Sequence, residues 1–456
     1  MLEKFFNPKS VAVIGASHTP GKIGYVILEN FVRKFDGKVY PVNPNTTPIL
    51  NLEVFPSIKK IPEKVDLAVI VTPAPVVPIV LKECVEKKIQ AVIIIPGGFS
   101  ETGEAGRKLE EKCKQIIKKS KTRVIGPNVI GVFDTFSNVD TLFLSEQRLN
   151  RPKQGGVSFI YQSGAVGSTI LDWLAEEKIG ISKFISYGNA MDVNECDLLE
   201  FLAKDKKTKV ITMFLEGVRD GKRFVQAAKK VSKQKPIIVL KGGKTEAGAK
   251  AALSHTASLA GEYKIYSSVF KQTGIAEAMN WEELFDFTKA FSTQPLPKGN
   301  SAVILTNGGG FGVIASDECE RQGLQLQEPE KKVKSKLEKV FPSYAVLHNP
   351  IDLTGDATAE RYAVALEECL RSKQYDGVIL ITLFQIPTLE EKIVEIIPEL
   401  ARKYKKPVLC CASGGRYTKR LTEKLEASGM PVYPTPERAV KAFAALARYS
   451  EWMKKV

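Results

Sequence analysis

The sequence predicts an α/β protein of three domains, and three features of the chain support that prediction. Short apolar runs alternate with polar segments of helix length in the first third, and two later stretches repeat one another. Two polar connections divide the 456 residues into parts of the usual domain size, about 150 residues. We therefore expect domains over 1–135, 150–292 and 300–456.

Five β-rich apolar runs predict the strands of the first domain. Runs of this length, separated by helix-length segments, are typical of strands buried on both faces of a parallel, doubly wound sheet. The runs are Val11–Ile14, Val39–Val42, Leu67–Val71, Ala91–Ile95 and Arg123–Ile125. In such a sheet the ligand crevice lies at the carboxyl ends of the strands.

Two connections bound the second domain. The first runs from about 133 to 155, and the second, 292–300, contains Pro295 and Pro297. Clusters of Pro, Gly and polar residues between apolar runs indicate loops.

The second and third domains are predicted to be copies of one α/β unit, because the chain matches itself at three places. The first match is a strand followed by a turn and a helix start, the second is a strand followed by a turn, and the third is a glycine before a helix. The matched segments are 156–167 with 302–312, 235–243 with 406–415, and 274–275 with 429–430.

The two copies differ where chemistry is expected. After Gly243 the first copy is rich in Ala, Gly, Ser and Thr around His255, whereas the second copy has a charged helical sequence without histidine. The first copy also ends a strand with Glu216, and the corresponding 382–385 has no carboxylate. An imidazole is a nucleophile near neutral pH, and a carboxylate on one ring nitrogen sets its tautomer. We therefore interpret His255 and Glu216 as functional residues.

Charge and cysteine content exclude several classes. The 66 Lys and Arg against 51 Asp and Glu leave +15, which suits anionic ligands, but no basic run is interleaved with aromatic residues as nucleic-acid binding requires. Seven cysteines without a CxxC pair argue against a disulfide framework or a zinc site and favour a reducing cytoplasm. Three prolines break the longest apolar stretch, Val65–Leu81, so we expect no membrane span.

The turn from Gly15 to Gly24 follows the first predicted strand and opens a helix. Its glycines let the backbone approach a ligand, and a helix N-terminus offers N–H groups to phosphate, with Lys22 as an added charge. The spacing differs from GxGxxG, so an NAD site is a poor match. Either a nucleotide-type ligand or a tight strand-to-helix turn explains these glycines, and the five matching strands favour the ligand.

Further turns follow the other strands. Asn43, Thr72 with Pro73, and Asn128 each lie just past a strand of the first domain. In the two copies, the turns 161–164 and 307–310 expose backbone donors that could face one phosphate. Glycines required only by the turn conformation are the alternative for each.

Taken in order, several motifs resemble the nucleoside-diphosphate-forming acyl-CoA synthetases, relatives of the succinyl-CoA synthetase α subunit. The match is closest to α subunits of archaeal-type ADP-forming acetyl-CoA synthetases, also called acetate–CoA ligases, and covers nearly the whole chain. The motifs are at 13–17, 126–128, 161–165, 186–189, 215–217, 254–257 and 349–352.

This resemblance implies a Rossmann-like CoA-binding domain followed by two flavodoxin-like ligase domains. It also implies a separate ATP-grasp β subunit that holds the nucleotide with Mg²⁺, in an α2β2 heterotetramer. The present chain has neither an ATP-grasp segment nor a GxxxxGK[ST] loop, which agrees with that division. No permanently bound cofactor or metal is expected on this chain; CoA or acetyl-CoA, phosphate and ADP or ATP are substrates.

The family's reaction implies roles for particular residues. Acyl-CoA and phosphate give acyl phosphate and CoA, His255 takes the phosphoryl group with Glu216 holding its ring, and phospho-His255 passes the group to ADP. The resemblance and the strand-end turns together assign CoA binding to Gly15, Ser17, Gly21, Lys22, Gly24, Asn43, Thr72 and Pro73. They assign phosphate or acyl binding to Asn128, Gln162, Ser163, Gly164, Asn307, Gly308, Gly309 and Gly310.

A non-catalytic protein that binds CoA or a nucleotide for regulation is the alternative function. It fits the first domain but leaves the His255 segment unexplained. An NAD-dependent dehydrogenase is disfavoured by the glycine spacing. The preferred acid, and the choice between ADP and GDP, are left open by the sequence.

Overall fold

The computed structural model describes residues 2–248, 250 and 262–456. Two compact units divide the chain, Met1–Glu277 and Ala278–Val456. The first unit contains two sheets and the second unit one. The α/β class predicted from the sequence is confirmed.

The first sheet is parallel and has five strands in the order β2-β1-β3-β4-β5. Its strands are β1 Ser10–Ile14, β2 Lys38–Val42, β3 Leu67–Ile70, β4 Ala91–Ile94 and β5 Arg123–Ile125. The helices of this part are α1 Glu3–Phe6, α2 Ile23–Lys34, α3 Val77–Glu86 and α4 Glu104–Ile117. All five predicted strands are present, and the strand order reverses between β1 and β3, where α/β sheets open their ligand crevice.

The second sheet has seven strands in the order β12-β11-β10-β8-β9-β6-β7. The strands are β6 Val132–Asp134, β7 Val139–Asp140, β8 Gln154–Tyr161, β9 Ile181–Ser186, β10 Val210–Leu215, β11 Ile237–Lys241 and β12 Ala276–Ala278. The helices are α5 Gly164–Glu176, α6 Glu195–Lys204, α7 Gly221–Ser232 and α8 Tyr263–Thr273.

Strand β6 lies at the start of the predicted connection of 133–155, and strand β7 lies inside it. They extend the second sheet, with β6 antiparallel to both β7 and β9. Strands of two or three residues carry too little alternation to be recognised in a sequence, and β6 pairs with a strand about 50 residues later. The first connection is therefore partly sheet.

The third sheet is parallel, with the order β14-β13-β15-β16-β17. Its strands are β13 Ala302–Thr306, β14 Ile351–Asp352, β15 Gly377–Ile381, β16 Val408–Cys411 and β17 Val432–Tyr433. The helices of this unit are α9 Trp281–Thr293, α10 Gly309–Arg321, α11 Lys331–Leu337, α12 Ala359–Arg371, α13 Ile393–Tyr404, α14 Arg416–Ala427 and α15 Pro436–Lys455.

Helix α9 packs along α15 in the second unit, although the sequence predicted it as the end of the second domain. Asp286 of α9 forms a two-pronged ion pair with Arg438 of α15, at 2.7 Å for both nitrogens. Lys289 forms a second ion pair with Glu426, at 2.9 Å. The second compact unit therefore begins before α9, while the predicted domain boundary at 292–300 stays a prediction.

The duplication appears in the strand register. Tyr161 of β8 pairs with Phe214 of β10, as Thr306 of β13 pairs with Ile381 of β15. The next strand continues the match, since Phe214 pairs with Leu240 in the first copy and Ile381 pairs with Cys411 in the second. Counting onward from these pairs makes three sets of positions equivalent: Gln162 with Asn307, Glu216 with Leu383, and Lys241 with Ala412.

The cores explain why the first two sheets form one unit. Val13 and Ile93 of the first sheet belong to the same buried apolar cluster as Ile160 and Met213 of the second. The third sheet has its own cluster, which includes Leu305 and Leu380. Within the described ranges, the chain has no helix long and apolar enough to span a bilayer.

Candidate active site

The glycine turn after β1 has a steric requirement of its own. Gly15 has φ of +93°, and a Cβ there would lie 3.0 Å from Val71 Cγ2 and 3.2 Å from the amide nitrogen of Thr72. A Cβ on Gly24 would lie 2.2 Å from the carbonyl oxygen of Gly15. Gly21, with φ of +82°, faces open space. Gly24 is thus needed for the close approach of α2 to the turn, and Gly15 for the close approach of the turn to the end of β3, whatever ligand the turn holds.

Polar groups of β1, β2 and β3 meet at the carboxyl edge of the first sheet. Asn43 Nδ2 donates to the carbonyl oxygen of Ala16 at 2.8 Å, and Ser17 Oγ accepts from the amide of Thr19 at 3.1 Å. Thr72 Oγ1 is buried and has no hydrogen-bond partner in the described part of the chain. A buried hydroxyl without a partner is destabilising unless a ligand or water supplies one.

The remaining residues predicted for CoA are more open. Lys22 is exposed and precedes the first residue of α2, which has no acidic residue in its first turn. Pro73 is also exposed, next to Thr72. The structure therefore brings the predicted residues to one edge, with a free helix N-terminus and a lysine available to an anion.

Asn128 lies where the first sheet meets the second. It follows the cis Gly126–Pro127 bond, has φ of +63°, and its amide donates to the carbonyl oxygen of Pro96 at 3.0 Å. A Cβ on Gly188 would lie 2.3 Å from the carbonyl oxygen of Asn128. The turns after β5 and β9 are therefore in direct backbone contact.

A polar network that the sequence did not reveal connects the turn after β9 with the segments after β4 and β10. Asn189 Nδ2 donates to Glu101 Oε2 at 2.6 Å, and Arg219 donates to the carbonyl oxygen of Asn189 at 2.8 Å. Glu101 Oε1 accepts from the amide of Gly98 at 2.6 Å. Burial alone would raise the pKa of Glu101, but these hydrogen bonds lower it below its ordinary value.

Gln162 holds the turn that carries Glu216. Its Oε1 accepts from the amides of Glu216 at 2.5 Å and Gly217 at 3.0 Å, and its Nε2 donates to the carbonyl oxygen of Gly217 at 3.1 Å. The Gln162 side chain therefore holds backbone, and its contact with phosphate stays a prediction. Glu216 itself is 8% exposed.

The N-terminus of α5 opens next to this turn in sequence and space. Ser163 precedes the helix and is 6% exposed, and Gly164 is its first residue. The first turn of α5 has no acidic side chain, and Ser163 does not cap it. Its leading N–H groups and the positive end of the helix dipole are therefore available to an anion, as the prediction requires.

Lys241 is a buried residue that the sequence analysis missed. Its Nζ donates to the carbonyl oxygen of Glu216 at 2.7 Å and to that of Gly242, and lies 4.7 Å from the centroid of the Tyr266 ring. Burial lowers the pKa of Lys241 to about 8, opposed by the negative charge of Glu216. The contrast of Lys241 with Ala412 in the aligned copies was the available signal.

His255 lies outside the described residues, within 251–261. The chain leaves β11 beside Glu216, since a Cβ on Gly242 would lie 3.8 Å from Glu216 Cγ. Residues 243–248 and 250 on one side, and Glu262 on the other, flank this segment.

In the second unit, the turn before α10 repeats the arrangement around Gln162. Asn307 Oδ1 accepts from the amide of Leu383 at 2.9 Å, and Thr306 Oγ1 accepts from that of Gly308 at 3.0 Å. Gly309 and Gly310 are exposed in the first turn of α10. No acidic side chain lies in that turn.

Metal-binding clusters are absent from the described ranges, where no three His, Cys, Asp or Glu side chains are arranged to hold an ion. All seven cysteines are buried thiols. The site therefore consists of backbone amides, one buried carboxylate and one buried lysine around the ends of β8, β10 and β11.

Three family models match consecutive parts of the chain. A CoA binding domain matches residues 9–135, a succinyl-CoA ligase like flavodoxin domain matches 154–291, and a ligase-CoA domain matches 302–455. Together with the three sheets, they define the class as a CoA ligase of the succinyl-CoA ligase type.

Proteins of similar sequence show which kind of CoA ligase the chain resembles. The α subunit of acetate–CoA ligase [ADP-forming] I of Pyrococcus furiosus is 42% identical over 100% of this chain and 99% of its own. The acetate–CoA ligase [ADP-forming] of Methanocaldococcus jannaschii is 44% identical over 97% of this chain and 62% of its longer one. The chain belongs to the family of ADP-forming acetate–CoA ligase α subunits and is a ligase. The resemblance inferred from the motifs is confirmed.

A solved structure agrees over the full length. The dinucleotide-forming acetyl-coenzyme A synthetase 1 of Ca. Korarchaeum cryptofilum, in complex with phosphate and ADP, has a TM-score of 0.94 and 37% identity. The match covers 100% of this chain and 98% of that one.

Proposed function

We propose that this chain is the α subunit of an ADP-forming acetate–CoA ligase. The overall reaction converts acetyl-CoA, phosphate and ADP to acetate, CoA and ATP. One observation carries the proposal: the buried carboxylate of Glu216, fastened by Gln162, lies where the segment that contains His255 leaves β11. Family membership over the whole chain supports it.

The first step takes place on CoA bound at the first sheet. A phosphate oxygen attacks the acetyl carbonyl carbon, the carbon–sulfur bond breaks, and CoA leaves as the thiol after taking a proton. The N-terminus of α2 and Lys22 offer positive charge to the CoA phosphates, and Thr72 Oγ1 offers a hydrogen bond. We assign Gly15, Ser17, Gly21, Gly24, Asn43 and Pro73 to the same site.

The second step moves the phosphoryl group to His255. An imidazole nitrogen attacks phosphorus, the bond from phosphorus to the acyl oxygen breaks, and acetate leaves with the electron pair. Glu216 accepts the hydrogen bond of the other ring N–H and so keeps the attacking nitrogen unprotonated.

Backbone amides stabilise the charge on the transferred group. Ser163 and Gly164 present the N-terminus of α5, and preorganised amides of this kind stabilise a phosphoryl transition state without reorganisation. We assign the same role to Asn128 and to the turn of the second unit, Asn307, Gly308, Gly309 and Gly310.

The third step delivers the phosphoryl group to ADP on a partner. We infer a separate ATP-grasp β subunit that holds the nucleotide with Mg²⁺, in an α2β2 assembly. Seven reduced, buried cysteines favour a cytoplasmic location for that assembly.

Labelling tests the proposal. The chain and its partner are incubated with acetyl-CoA and ³²P-phosphate, and acid-labile, base-stable label is measured on the α chain. Wild type is expected to be labelled and His255→Ala is not, because the imidazole is the acceptor. His348→Ala is the matched control, since His348 is exposed and bonded to Glu328 at 2.7 Å, and it should label normally.

The same experiment decides the alternative of a non-catalytic, CoA-binding regulator. Such a protein would bind acetyl-CoA without acquiring label. Equal label on wild type and His255→Ala would also contradict the proposed relay.

A further inference from the structure

Lys241 is a buried cation next to the proposed catalytic carboxylate. It is 2% exposed and is among the largest fully buried side chains of the described residues. An ammonium group has three donors. Two of them go to the carbonyl oxygens of Glu216 and Gly242, and the group also lies over the Tyr266 ring.

The carbonyl contacts join the two strand ends that form the site. Glu216 follows β10, and Gly242 follows β11 at the start of the segment toward His255. Lys241 therefore ties the backbone of the carboxylate to the backbone from which the histidine segment departs.

The second copy lacks this arrangement. By strand register, Lys241 corresponds to Ala412 and Glu216 to Leu383. The lysine and the carboxylate are thus both replaced by apolar residues in a sheet whose five equivalent strands have the same order. The fold itself does not require the pair.

A different lysine, placed just before the strand, is kept in both copies. Lys235, just before β11, donates to the carbonyl oxygens of Leu202 and Asp205, both at 2.5 Å. Its counterpart Lys406 donates to the carbonyl oxygen of Tyr375 at 2.7 Å. A lysine that closes the amino end of the strand is therefore part of the fold, whereas Lys241 is specific to the copy with the site.

Burial makes the charged form of Lys241 energetically unfavourable. Burial lowers its pKa to about 8, so the folded protein disfavours the ammonium form relative to water. The charged and titratable groups that face it are Glu216 after β10, which raises the pKa, Lys244 after β11, which lowers it, and Tyr266 of α8. Buried ions whose removal would relieve this cost are candidates for function.

We propose that Lys241 is a positioning residue for phosphoryl transfer. Its ammonium group fixes the backbone of Glu216 against that of Gly242, and its charge offsets the meeting of the Glu216 carboxylate with the phosphoryl group on His255. Like charges brought together in a buried site repel strongly, and a cation that interacts with the Glu216 carboxylate reduces that repulsion. This inference rests on the proposed function and adds a residue to it.

Lys241→Met tests the inference, because methionine fills the same volume without charge. The holoenzyme is assayed for release of the CoA thiol from acetyl-CoA and phosphate, and separately for labelling of His255 from ³²P-acetyl phosphate. We expect labelling to slow about tenfold and thiol release to change less than about twofold. Lys235→Met is the matched control and should leave both rates within about twofold of wild type.

A pH profile separates positioning from packing. Labelling of wild type should decline above pH 8 as Lys241 loses its proton, and this decline should be missing in Lys241→Met. A methionine variant labelled as fast as wild type, or one that loses thiol release and labelling equally, would overturn the inference. Absence of label on the wild-type chain would instead refute the proposed function, so the two failures are distinguishable.

Discussion

The two ligase-type sheets of this chain fasten their turns in the same way. In the first copy Gln162 accepts a hydrogen bond from the amide of Glu216 at 2.5 Å, and in the second Asn307 accepts one from the amide of Leu383 at 2.9 Å. A side-chain amide after the central strand thus holds the end of the neighbouring strand in both. The shared feature belongs to the fold of the turn.

The two copies differ in the side chains found next to this turn. The first copy has Glu216 and Lys241, and the second has Leu383 and Ala412. A duplicated fold therefore distinguishes groups that the sheet needs from groups that only a reaction needs, since both copies satisfy the same packing constraints.

The largest expected effect comes from making the first copy resemble the second. Glu216→Leu should slow labelling of His255 at least about a hundredfold, because the ring loses the group that sets its tautomer. CoA affinity should be unchanged, since the assigned CoA residues lie in the first sheet. Single-turnover labelling and acetyl-CoA binding measure the two effects.

Leu383→Met is the matched control, because it changes the equivalent position of the second copy with little change in volume. It should label within about twofold of wild type. A Glu216→Leu chain that loses CoA affinity as much as labelling would contradict the role given to Glu216.

An intermediate effect is expected at the shared amides. Gln162→Ala and Asn307→Ala should each lower the free energy of unfolding by about 1–3 kcal/mol, because partly buried backbone amides lose their acceptor. Chemical denaturation measures both. The exposed Gln234→Ala is the control and should cost less than about 0.5 kcal/mol. If only one of the two amides proved important to stability, the turns would not be equivalent.

The smallest effect concerns pH and stability at Lys241. The folded pKa is about 8 and the ordinary value is 10.5, so between these values the unfolded chain binds more protons. Stability attributable to this residue therefore rises with pH across that window. Denaturation of wild type and Lys241→Met at pH 7.5 and 10 measures this change. The free energy of unfolding of wild type minus that of the variant should rise with pH, and a value that is constant or falls would refute the assignment.

Local patterns were enough to predict much of this fold. The five strands of the first sheet are continuous apolar runs, and the duplication is visible because both copies keep a strand, a small-residue turn and Lys235 or Lys406 before a second strand. Gly15 and Gly24 stood out because close backbone approach admits no side chain there.

Contacts between distant residues could not be read in this way. Asn189 reaches Glu101 across 88 positions, and Arg123 reaches Asp192 across 69. Helix α9 likewise forms ion pairs with residues of α14 and α15 more than 130 positions later. Pairings of this kind depend on which surfaces meet, and no local spacing records that.

By itself, the sequence determined the α/β class, the repeated unit, the turns at the carboxyl ends of the strands and the family of the chain. These follow from periodicity and from the order of short motifs, which are local properties. Only the tertiary structure decided that Gln162 holds the Glu216 turn and that a lysine is buried between two strand ends. Strand register brings residues 25 and 54 positions apart to within hydrogen-bonding distance, and that register exists only once the sheet has formed.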